Sequence, residues 1–186
     1  PFRNLGGDDA FSDGLTEDIM TGIARSNRDL PVLARATAFK YKGKDIDVRD
    51  LGRELGVRYV LEGSVKRSGD DVRVTANLAD AQTGISIWSE QFDRKMTDID
   101  FLVQDKIVGR IVAKIAGGYG VIEATEIKSA RRKSPEQVSA YDLFQRAHAI
   151  LQWDWTPENF GTARAALKEA IAKDPSDPKA RREWAW

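Results

Sequence analysis

Few residues in this sequence have types and spacings that could do chemistry. Asp9, Asp13 and Gly14 share part of the spacing of a calcium-binding loop, in which alternate carboxylates and a turn glycine surround the ion. Phe11 stands where the third ligand belongs and Met20 where a bidentate Glu would close the shell, so the set is incomplete. Asp13, Glu17 and Asp18 read instead as acids at a helix start, where they suit the helix dipole. His148 is the only histidine and there is no cysteine, which excludes a His pair, disulfides, thiolate zinc sites and cysteine nucleophiles. No Ser-His-Asp arrangement follows from spacing. Gly117, Gly118 and Gly120 lack the Lys-Ser/Thr of a phosphate-cradling loop and follow a helix rather than a strand, so they read as a helix terminator. Lys40 to Lys44, with Tyr41 among them, could meet an anion, but Asp45 and Asp47 neutralise the run at once. The reading is therefore no catalytic residue, no cofactor and no metal site.

The elements around these residues centre on Asp47 to Asp93. Asp47 is a plausible N-cap for a helix with Val48, Leu51 and Leu55 on one face, and Gly56 suits a left-handed C-cap. Apolar and polar residues then alternate. Tyr59, Leu61, Gly63 and Val65 face one way, and Arg58, Val60, Glu62, Ser64 and Lys66 the other. Turns at Ser68-Gly69-Asp70 and Gln82-Thr83-Gly84 separate this run from Val72 to Leu78 and from a strand with Ile85, Ile87, Trp88 and Phe92. Period-two runs joined by short Gly turns predict a three-strand antiparallel meander with one wet face.

Before the meander, Pro1 to Leu5 reads as the tail of a strand whose start is missing. A helix follows from Ser12 or Asp13 to about Ser26, then a strand over Leu30 to Arg35 with Pro31 at its mouth, then a basic loop from Thr37 to Lys44. After the meander a strong helix is predicted from Phe101 to Ala116, with Ile107, Ile111 and Ile115 in one stripe. The fold class is thus α+β, a mixed sheet with flanking helices over 1–118. A charged linker over 119–134, ending in the solvated run Arg131-Arg132-Lys133, leads to an all-α segment over 135–186.

That segment repeats one device, a capping side chain followed by Pro: Ser134-Pro135 (with Gln137 completing a capping box), Thr156-Pro157 and Asp177-Pro178. The first helix presents Tyr141, Phe144, His148 and Leu151, the second Phe160, Ala163, Leu167 and Ala170. The spacing from Ala163 to Leu167, Ala170 and Pro175 matches the second half of a tetratricopeptide repeat. One helical pair cannot bury its own face, so further repeats are expected beyond Trp186. Trp153, Trp155, Trp184 and Trp186 read first as packing between repeats.

Lys plus Arg and Asp plus Glu number 29 each, so the chain lacks the basic footprint of a dedicated nucleic-acid binder. No apolar run approaches the ~20 residues of a bilayer span. Pro1 stands without an initiator Met, as in a processed or excised piece. The expected location is cytoplasmic, or periplasmic should a span precede this region.

Gly6-Gly7-Asp8-Asp9-Ala10-Phe11 has an outward likeness to the diguanylate cyclase signature. Ala10 breaks it, and only five residues precede it, so a turn before a helix is the reading. Longer blocks carry a broader likeness. PFRNLGGDDAFSDGLTEDIMTGIAR and the stretch ARATAFKYKGK through FLVQDKI resemble the TolB-like amino-terminal domain, and AYDLFQRA opens the helical pair as in that family. In that family the region follows a class III adenylate/guanylate cyclase domain, or a DNA-binding winged helix, and precedes tetratricopeptide repeats. The resemblance implies a non-catalytic regulatory or scaffolding region. No cyclase metal-binding aspartate or transition-state Arg and Asn is matched in this chain.

The expected partners are a protein or peptide held by the helical repeats and a covalently linked upstream cyclase domain, with a homodimer left open. Candidate contact residues are Tyr141, Phe144, His148, Trp153 and Trp155 on the helices. On the wet sheet face they are Arg58, Lys66 and Arg73, with Glu62, Thr75 and Asn77 beside them. Two alternatives stand: the sensory region of a membrane-tethered winged-helix transcription regulator, and a module binding a small ligand such as a nucleotide between helices and sheet.

Overall fold

The computed structural model describes residues 1–6, 9–28, 30–95, 100–118, 120–133, 137–153 and 156–184. The chain forms two compact units, Pro1–Val121 and Ile122–Trp186.

The first unit holds a mixed four-stranded sheet in the order β1-β2-β3-β4. β1 (Arg3–Asn4) runs parallel to β2 (Tyr59–Ser68), and β3 (Asp71–Asp80) pairs antiparallel with both β2 and β4 (Ile85–Lys95). The meander is as the period-two pattern requires. Gly69 (φ +59°) and Gly84 (φ +72°) take the left-handed conformations that the two tight turns need. Ile87 has no partner in the ladder, because Leu78 pairs with Trp88 and Ala79 with Ser86, and this bulge lies near the start of β4.

Helices α1 (Asp9–Ser26) and α4 (Asp100–Ala116) pack against each other. Gly22 allows the approach, since a Cβ there would lie 2.7 Å from Val112 Cγ2. Leu15 and Ile19 of α1, Ile107, Ile111 and Ile115 of α4, and Val65, Val72, Val74, Ala76, Leu78 and Phe92 of the sheet are all buried. The isoleucine stripe of α4 is therefore core, as its helical spacing predicts. Gly63 lies beneath Phe2, whose backbone N–H donates to Thr16 Oγ1 at 3.0 Å, so the N-terminal segment is fastened to both sheet and helix.

Two local expectations need correction. Leu30 to Arg35 forms no strand; residues 31–34 are irregular and α2 (Arg35–Phe39) follows, taking in part of the predicted basic loop. The sheet position beside β2 is filled by β1, and Pro31 has no N–H to give a ladder. Helix α1 begins at Asp9, a turn earlier than predicted. In contrast, α3 (Val48–Leu55) has the caps read from sequence: Asp47 Oδ1 accepts from the Arg49 N–H at 2.8 Å, and Gly56 is left-handed at φ +65°.

The second unit is helical: α5 (Val121–Arg132), α6 (Ala140–Trp153), α7 (Pro157–Lys173) and α8 (Pro178–Trp184). The helix start expected at Ser134-Pro135 lies outside the described residues, and α6 begins at Ala140 with Ser139 and Asp142 forming its capping box. Thr156 caps α7 by accepting from the Asn159 N–H at 3.2 Å, and Asp177 accepts from the Lys179 N–H at the start of α8. Val138, Leu143, Phe144, Ala147, Ala163, Leu167, Ala170 and Ala180 make the core of this unit. Phe160, predicted on the buried stripe of α7, is 37% exposed; it sits in the first turn, and the stripe closes only from Ala163 onward.

Candidate functional site

On α6 the residues singled out from sequence form an aromatic row, because positions three and four apart share a helix face. Tyr141 and Phe144 have ring centroids 6.4 Å apart, and Phe144 stacks on the His148 imidazole at 5.5 Å. The row divides by depth. Tyr141 is 40% exposed, Phe144 is buried in the core at 8%, and His148 is half-buried. Trp153 ends α6, and Trp155 lies outside the described residues. Among the described residues of this row Tyr141 is the one at the surface, with Phe144 beneath it. Gln145 donates its Nε2 to the Tyr141 hydroxyl at 2.6 Å, and Lys179 of α8 stands 5.9 Å from the ring. Gln145 is itself buried, and its Oε1 has no partner. A polar residue that holds a surface tyrosine was not legible from sequence.

The base of α6 is fixed electrostatically. Asp142, 2% exposed, accepts from the Ser139 N–H and hydroxyl and from Lys133 Nζ at 2.7 Å. Burial would raise its carboxyl, but the bonds from Lys133 and Ser139 outweigh it and hold the group below the ordinary carboxylate range. Arg146 donates to the carbonyls of Ala130 and Lys133, which fastens the end of α5 to α6.

The wet sheet face in the first unit is a polar ladder. Lys66 pairs with Arg73 and Arg73 with Asp93 across the three strands, and the next row but one is Glu62, Asn77 and Ser89. Two cations side by side would repel. Arg73 Nε donates to Asp93 at 2.6 Å, and that bond, with one from Gln91, holds the exposed Asp93 carboxyl below its ordinary value. Lys66, Arg73, Arg94 and Lys95 line a shallow depression of about 510 Å³ together with Asp71 and Asp93. Arg58 does not belong to this ladder. Its guanidinium bonds the buried Asp80 at 3.2 Å, while Asp80 Oδ1 accepts from the Gln82 and Thr83 N–H groups to close the β3–β4 turn.

Among the described residues no three His, Asp or Glu side chains are grouped to hold a metal ion, and no helix is long and apolar enough to cross a membrane. The two carboxylates at His148, Glu123 and Glu183, meet opposite ring nitrogens, an arrangement for bridging rather than for chelating one cation.

Residues 1–110 match the family described as the HilA/YgeH-like transcriptional regulator, second domain. Over 181 residues the chain is 43% identical to the Rhizobium meliloti (strain 1021) protein named "Putative adenylate cyclase 3", covering 94% of this chain and 29% of that protein's length. Two solved structures are similar in part. One is the lipoprotein GNA1162 from Neisseria meningitidis (TM-score 0.45, 18% identity, 62% of this chain and 94% of the other). The other is TolB from Acinetobacter baumannii (TM-score 0.39, 23% identity, 61% of this chain and 26% of the other).

Proposed function

The chain belongs, through residues 1–110, to the family of the HilA/YgeH-like transcriptional regulator second domain, and from that premise we propose that it is the non-catalytic input region of a larger signalling protein. The observation that carries the reading is the 43% identity running through 94% of the chain while spanning only 29% of a relative named as a putative adenylate cyclase. In this reading the region passes a protein-binding event to a linked cyclase domain. The α+β unit serves as a rigid TolB-like platform, and the helical unit as the opening of a tetratricopeptide-type array. The buried alanines at Ala163, Ala170 and Ala180 support close helix stacking of that kind. The Tyr141 surface, braced by Gln145, is the contact site for a protein or peptide.

The test is cyclic AMP formation from ATP by the full-length gene product, with and without the region from Pro1 onward. A change in activity on deletion is expected. Activity indifferent to deletion would refute signal input. The family match favours a second reading, input to a linked DNA-binding module. Cyclase activity absent from both forms, together with promoter binding that depends on the region, would select it.

A further inference from the structure

His148 is the chain's only histidine, and its ring is held from three sides. Glu183 of α8 meets Nδ1, Glu123 of α5 meets Nε2 at 3.0 Å, and Gln152, one turn along α6, brings its amide nitrogen to that same Nε2. The side chains of His148, Glu123 and Glu183 are only 23%, 24% and 22% exposed. An imidazolium has two N–H donors, whereas a neutral ring has one donor and one lone pair. Two carboxylates on opposite nitrogens can both be served only by the imidazolium. An amide N–H aimed at Nε2 can be served only by a neutral ring with its lone pair there. Glu123 and Gln152 therefore compete for Nε2, and the proton decides between them. Glu183 Oε2 is buried with no partner, so that carboxylate leans on Nδ1–H alone, while Glu123 keeps another interaction. The last proton accordingly stays on Nδ1.

We propose that His148 is a proton-operated clasp, which as an imidazolium ties α5 and α8 to α6 at once and as a neutral ring keeps Glu183 but releases Glu123 in favour of Gln152. The charges acting on the ring are those of Glu183 and Glu123. Arg164 of α7 is placed over the Trp184 ring at 4.7 Å, and Arg146 and Lys133 are engaged with backbone carbonyls and Asp142. The hydrogen bond to Glu183 raises His148 above the ordinary imidazole value against the pull of burial, and the charges of Glu183 and Glu123 add to it. A raised folded value means the clasp is complete below the unfolded value of about 6.5 and is lost as pH rises through the folded one.

A single histidine makes the titration unambiguous by NMR of the imidazole in the 186-residue chain. The midpoint is expected above about 6.5. Through it, α5 amides, corrected for intrinsic exchange, should lose roughly two- to tenfold protection, the worth of one hydrogen bond, while α8 amides hold theirs. In Glu123→Gln the midpoint should fall and the step in α5 should vanish. An unshifted midpoint, flat α5 protection across it in the unaltered chain, or a step that survives Glu123→Gln overturns the proposal.

Discussion

Gly63→Ala tests whether the N-terminal segment is locked to the sheet as the packing at Phe2 implies. Gly63 pairs with Ala76 in the centre of the β2–β3 ladder, and the face a methyl would occupy is already filled. That methyl would lie 2.7 Å from Phe2 Cδ1, closer still to Cε1, and also against the Thr75 carbonyl oxygen. The ring could swing away, at the cost of the burial that leaves Phe2 only 2% exposed. The carbonyl cannot move without widening two paired strands. Overpacking of a closed site costs about 1–3 kcal/mol, and full loss of a buried phenyl about 3–5 kcal/mol, so a loss of about 3 kcal/mol is expected. Native-state hydrogen exchange of the β2 and β3 amides reads this directly, without assuming that the two units unfold together. Phe2→Ala relieves one of the two clashes, so the double variant should lose less than the sum of the singles. A Gly63→Ala chain within about 0.5 kcal/mol of the parent, or strictly additive singles, would show that the Phe2 ring does not bear on Gly63.

Three further outcomes follow from the same reasoning. Ile111→Ala, at a position with no exposure in the α4 stripe, should cost about 2–5 kcal/mol by denaturant unfolding, and a cost under about 1 kcal/mol would place α4 outside the core. Asp142→Ala removes the capping acid of α6 and strands Lys133, and should lower the protection of α6 amides; the loss should be greatest at neutral pH. Its folded carboxyl is depressed, so its contribution is present above the unfolded value of about 3.9 and disappears as pH falls through the folded one; a pH-independent difference between variant and parent would contradict this. Tyr141→Ala should leave the circular dichroism of the chain unchanged but lower its melting point through the roughly 1–3 kcal/mol cost of a stranded buried amide, because the ring is 40% exposed while its hydroxyl partners Gln145. If the helical unit holds a protein or peptide as proposed, Tyr141→Ala should abolish its capture in a pull-down, whereas Lys66→Ala should not.

The amino-acid sequence determined those features that a residue settles with its near neighbours. Asp47, Gly56 and Thr156 cap their helices where capping chemistry places them, since donor and acceptor lie two to four residues apart. The alternation from Tyr59 to Phe92 fixes the meander, because a strand with one buried face must repeat every second residue. The isoleucines of α4 announce their own burial in the same way. Tertiary structure decided what depends on distant partners. Leu30 to Arg35 has a strand's composition, but the neighbouring place in the sheet went to Arg3–Asn4, some sixty residues from its partner β2. The capping box at Ser139, which the sequence reading does not single out, closes through Asp142, an acid that Lys133 neutralises. Tyr141 and Phe144 look alike on a helical wheel; packing of α7 and α8 buried one and left the other at the surface. In sequence His148 reads only as a contact residue on a helix face, because the carboxylates that meet its ring stand 25 residues before it and 35 after it. Short-range hydrogen bonding and periodicity are written into adjacent residues, whereas charge neutralisation and burial exist only once the chain has closed its long loops.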